Sequence, residues 1–125
     1  MTVTNYGCEN LKQVGLMGSG APPTWLSIGS GSGTELITES GLKNEYSALR
    51  TQYSVRNGSV SQQTEWTFNY GATSMSGLVL SEFGLYSNPT GGNIWDVHRL
   101  GSVLFDGSVE VQFQMTGKII QSGAY

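Results

Sequence analysis

Hydrophobic and polar residues alternate most cleanly in the second half of the chain. From Gln62 to Tyr70, Trp66, Phe68 and Tyr70 fall on one side and Glu65, Thr67 and Asn69 on the other. From Val109 to Met115 the alternation runs without a slip, with Val109, Val111, Phe113 and Met115 set against Glu110, Gln112 and Gln114. A two-residue period of this kind predicts half-buried antiparallel strands. Weaker runs at Trp25–Ile28, Thr51–Arg56, Gly77–Leu80, Phe83–Tyr86 and Ile94–Leu100 predict further strands, and Val103–Phe105 is a short apolar piece. Asn57-Gly58 and Asp106-Gly107 supply hairpin-turn chemistry, and Ser87–Asn93, with Pro89 and paired glycines, reads as a longer loop. Strands at roughly 10–15-residue intervals between such turns predict an all-β fold, an antiparallel β-sandwich of jelly-roll-like type.

Helical spacing shows once. Leu42, Tyr46 and Leu49 recur at i, i+4 and i+7 behind a capping Ser40, so at most one short helix is expected, near 40–49. Residues 1–24 show no clear period and read as an N-terminal arm or an added sheet edge. Residues 25–120 form the sandwich module, and 121–125 a C-terminal tail.

Composition narrows the functions available. With 125 residues the chain is one domain, large enough to bury a core without disulfides. Only 12% of residues are charged and the net charge is −3, with the six basic residues scattered. That pattern excludes the counterion-releasing surface of a nucleic-acid binder. No apolar run approaches the ~18 residues of a membrane span, so no membrane partner is expected. Cys8, the single cysteine, forms no internal bridge. The N-terminus lacks the charge and apolar core of a secretory signal, which predicts a chain made and folded in a cytoplasm.

Several stretches resemble chemistry and fail on inspection. Residues 29–33 read GSGSG, as phosphate loops often begin. A dinucleotide fingerprint would place a third glycine at Thr34 or Leu36, a Walker loop would need a lysine, and Glu35 is electrostatically wrong for a phosphate. The stretch therefore reads as a tight or flexible connection. His98 is the only histidine, and Asp96 shares its strand face, but no nucleophile elbow accompanies them. One His and one Cys are too few for zinc, no calcium loop is present, and no cofactor is expected. Trp25, Trp66 and Trp95 raise a second reading, a carbohydrate-binding sandwich with Trp95 as the glycan contact and a host glycan as partner. The competing reading puts Trp66 and Trp95 in the core. Glu82 and Arg99 each sit in an apolar context, which predicts a partly buried ion pair fixing strand register.

The order of these features resembles a family of small structural modules in tailed-bacteriophage virions, of the tail-fibre, neck and tail-associated kind. The resemblance is carried by I28-G-S-G-S-G33, then L42-K-N-E45 with Arg50, W66-T-F-N-Y70, E82-F-G-L-Y86 and H98-R-L100. It covers about residues 25–120, and the arm has no counterpart in it. It implies a non-catalytic virion protein, in head, neck, tail or fibre, partnered by copies of itself and by other virion proteins. Glu45 and Arg50 join Glu82 and Arg99 as structural ion-pair candidates. Arms and edges dock such modules by adding strands to a neighbour's sheet. Tyr6, Trp25, Ile119 and Tyr125 are the candidate assembly contacts.

Overall fold

The computed structural model describes residues 2–15, 18, 22–57 and 63–118. Among them the chain is all-β, with eight strands in two antiparallel sheets. The strands are β1 (Thr2–Val3), β2 (Trp25–Gly29), β3 (Thr51–Gln52), β4 (Val55–Asn57), β5 (Gln63–Tyr70), β6 (Val79–Tyr86), β7 (Ile94–Leu104) and β8 (Val111–Lys118). The larger sheet runs in the order β1-β7-β6-β2-β3 and the smaller in the order β4-β5-β8. Leu26, Ile28, Leu80, Leu85 and Trp95 of the first sheet meet Phe68, Tyr70, Phe113 and Met115 of the second in one buried core. Alternation predicted this outcome for β5, whose inward Phe68 and Tyr70 pair with Phe113 and Val111 of β8.

The expected strand pieces merge where polar residues had seemed to interrupt them. Ser81 and Glu82 stand inside β6, both buried, because each finds a partner at Gly31 in the segment that follows β2. Gly101 and Ser102 lie inside β7 at a register shift, where Leu80 faces Val103 but Glu82 faces Arg99. The expected strand Thr51–Arg56 divides instead, β3 joining one sheet and β4 the other. Val109 lies outside β8, half-exposed in the loop after the Asp106-Gly107 turn.

The helix expected near 40–49 is absent apart from a 3-10 turn at Ser47–Leu49. The reason lies in where its N–H groups go. Leu42 donates to the Tyr86 hydroxyl, Lys43 and Asn44 to the Glu82 carboxylate, and Tyr46 to the Ile28 carbonyl. A helix capped at Ser40 would turn the Asn44 and Tyr46 N–H groups to i−4 carbonyls and so forfeit their bonds to Glu82 and Ile28. Helix forms instead in the arm, at α1 (Asn5–Gly15), and in a single turn, α2 (Ala72–Met75). Thr4 starts α1: its hydroxyl accepts the Gly7 N–H at 3.0 Å, as an N-cap does. The same hydroxyl donates to the Ile94 carbonyl, so the cap also fastens the helix to β7. Gly7 permits that contact, since a Cβ there would overlap the Trp95 backbone. The arm's residues 2–15 are thus an edge strand plus a helix laid on β7. No helix among the described residues is long and apolar enough to cross a membrane.

Candidate functional site

Glu82, Gly84 and Tyr86 face away from the core, toward the crossover that joins β2 to β3. On that face Tyr86, Ile94 and Val97 make a second apolar cluster with Trp25 and Leu42. Glu82 is fully buried beneath the crossover. Its carboxylate accepts three backbone N–H groups, from Gly31 at 2.8 Å, Lys43 at 2.9 Å and Asn44 at 2.8 Å. Arg99, directly opposite on β7, adds Nε and Nη2, each 3.2 Å from Oε1. GSGSG therefore supplies one of the three backbone donors of an anion cradle, and the anion is the protein's own carboxylate. Gly31 is required by space: a Cβ there would lie 2.6 Å from the Lys43 Cβ and 2.7 Å from the Glu82 Cδ.

Arg99 extends the cluster outward. Nη1 donates to Glu39 at 2.8 Å and to the Thr34 carbonyl at 3.2 Å, while Nη2 pairs with Glu39 at 2.5 Å. Its backbone N–H goes to Glu35. The guanidinium hydrogen bond is the main reason the Glu39 carboxyl is held below the usual range. A second clamp stands beside the first. Arg50 Nε lies 2.6 Å from Glu45, which also accepts the Ser27 hydroxyl. Burial pushes the Glu45 carboxyl up, but these bonds outweigh it and lower it. Arg50 also stacks 3.6 Å over the Tyr86 ring and holds the Asn88 and Gly91 carbonyls, so it pins the β6–β7 loop. Both pairs singled out in the sequence are thus joined, and both tie the crossover to the sheet.

Other candidates fall elsewhere. Trp95 is 7% exposed, its indole N–H bonded to Ser87 and its ring edge-on to Tyr6. A ring so enclosed offers no face for sugar stacking, which corrects the reading of Trp95 as a glycan contact. Tyr6 and Trp25 are half-buried, each against an internal cluster, so the chain itself already occupies much of each ring. Ile119 and Tyr125 lie outside the described residues. Asp96 does not meet His98: its carboxylate accepts the Leu85 N–H, while His98 lies against Phe83 and 3.9 Å from Glu35. An open groove of about 400 Å³ at the ends of β5 and β8 is lined by Asn69, Tyr70, Gly71, Glu110, Val111 and Gln112. Its one ring, Tyr70, belongs to the core.

Asp96 carries a measurable consequence. Burial drives its pKa up to about 6 despite the Leu85 hydrogen bond. Between the unfolded value near 4 and the folded value, the folded chain holds more protons, so this group makes stability fall as pH rises through that window. Asp96→Asn keeps the acceptor for Leu85 and removes the charge. It should stabilise the chain at neutral pH by about 2 kcal/mol and flatten the slope between pH 4 and 6. Urea midpoints measured across that range test it. Parallel curves for the two proteins would contradict the assignment.

What sequence reasoning missed is the donor set for Glu82. The cue was present in an acidic residue on a strand otherwise apolar, paired with close-approach glycines fifty residues earlier. Comparison with protein-family models and with characterised proteins finds no match to this chain.

Proposed function

We propose that this chain is a non-catalytic structural module of a bacteriophage particle, acting by symmetric self-association and by docking on neighbouring particle proteins. The observation that carries the reading is the contrast between its sheet edges. One eight-residue edge strand has no neighbour on its outer side among the described residues, while the strongest charged groups are committed to each other inside the clamps. Buried carboxylates satisfied by backbone N–H groups and arginine brace a scaffold; they are poorly placed to act on a substrate. The ordered motif series of residues 28–100 supplies the particle context by resemblance.

Quantitative mass spectrometry of purified particles of the encoding phage tests this. Peptides of the chain are expected in fixed stoichiometry with the other particle proteins. Recovery only in the free, non-particle fraction would overturn the proposal.

A further inference from the structure

Sheet edges differ sharply in how they are protected. At the β7 edge of the larger sheet, β1 covers Asp96 and Val97, and Glu35 accepts the Arg99 N–H just beyond. Farther along, the register shift opposite Leu80 and Glu82 distorts the strand. The other edge of that sheet, β3, is two residues long, and β4 of the smaller sheet is three. Short edges, bulges and capping side chains are the usual defences against unwanted pairing. β8 has none of them. It spans eight residues, pairs with β5 in unbroken register, contains no proline, and has no strand on its other side among the described residues.

We infer that β8 is the self-association edge, and that its partner is β8 of a second copy, antiparallel across a two-fold axis at Gln114. The inference deepens the assembly reading above by naming its surface. Directly opposed residues of an antiparallel pair share a face. Gln112, Gln114 and Thr116 are exposed, while Phe113 and Met115 are buried in the core. Only registers that set even-numbered residues against even-numbered ones preserve these faces. Among them, the axis at Gln114 places Glu110 of each copy, the residue just before β8, opposite Lys118 of the other, the last residue of β8. It also sets Gln112 against Thr116, Phe113 against Met115 and Gln114 against itself. Shifting the axis by one residue to either side loses both opposite-charge pairs. With the axis on a residue, the outward N–H and C=O groups of each strand meet those of its mate, whichever set faces out. The two three-stranded sheets then become one continuous sheet of six.

A charge-swap experiment tests the arrangement. Purified chain is followed by sedimentation velocity over increasing concentration, and the fold of each variant is checked by circular dichroism and thermal melting. Glu110→Lys or Lys118→Glu alone should weaken dimerisation by about tenfold or more, since like charges then face each other twice per dimer. Mixing the two variants should restore it, because both pairs become opposite in charge in the mixed dimer. Gln114→Lys, which sets two like charges on the axis, should also weaken it with the monomer still folded. A wild-type chain that stays monomeric up to about 1 mM overturns the inference. So does a dimer indifferent to all three substitutions, which would mean that copies meet elsewhere. Neither result bears on whether the chain is present in particles, which the mass spectrometry decides separately.

Discussion

Gly31→Val destabilises the chain by about 3–5 kcal/mol, a large share of the ~5–15 kcal/mol available to a small domain. The cause is displacement rather than lost flexibility. A side chain at this position occupies the space of the Glu82 carboxylate and the Lys43 stem. Either the Gly31 N–H leaves the carboxylate, or the crossover lifts and takes the Lys43 and Asn44 donors with it. In the first case a fully buried anion loses one of three backbone donors, and in the second it keeps only Arg99. Thermal melting should show a fall on the order of 10 °C or more. Ser32→Val, in the same glycine-rich stretch but exposed, should stay within about 0.5 kcal/mol of the parent. Equal losses in the two variants would show that general stiffening of the loop, and not the cradle, is responsible.

The second large effect belongs to Arg99. Its guanidinium is the cation shared by Glu82 and Glu39, and Arg99→Ala leaves the first of these buried with no countercharge. Removing one partner from a buried pair costs about 3–5 kcal/mol, well above what exposed pairs are worth. Arg99→Lys should fall between, since an ammonium lacks the planar fork that reaches Glu82, Glu39 and the Thr34 carbonyl together. The pH dependence has a definite sign. In the parent, Arg99 depresses the Glu39 carboxyl, so that stability is present above the ordinary glutamate range and fades as pH falls through the lowered value. The variant has no such contribution to lose. Its deficit should therefore shrink as pH drops below about 4.5. A deficit that is constant with pH in chemical denaturation would show that Arg99 acts through its alkyl stem and packing alone.

The sequence made some parts of this architecture legible and hid others for definite reasons. Strands β5 and β8 were readable because each has one wet and one dry face, the condition under which a two-residue period survives. β6 was harder. Buried on both faces along most of its length, it carries Ser81 and Glu82 where alternation looked broken. The pairings Glu82–Arg99 and Glu45–Arg50 could be suspected from charges in apolar surroundings. Their backbone donors could not, since Gly31, Lys43 and Asn44 reach Glu82 only after the chain folds back on itself. The same folding back overrode the helical spacing of Leu42, Tyr46 and Leu49. α1 escaped notice because glycines at 7 and 15 weaken its pattern, although Thr4 is a capping residue in the right place. Trp95 went into the core while Val97 joined the cluster on the opposite face, because the register shift between Leu85 and Tyr86 passes over Trp95 and breaks the alternation expected of the two.

The clamp also bears on the order in which the molecule assembles. The β6–β7 hairpin closes over a short loop, whereas Gly31 meets Glu82 and Glu35 meets Arg99 across long stretches of chain. Long closures cost entropy before any contact offsets it, and Glu82 and Arg99 must already be side by side for the crossover to find them. The cradle therefore belongs after the folding barrier. Interactions made that late set how slowly the native state comes apart, while leaving the rate of its formation nearly unchanged. Substitutions at Gly31 and Arg99 are therefore expected to speed unfolding more than they slow folding, which stopped-flow denaturant jumps would show as a raised unfolding limb with the refolding limb nearly unmoved.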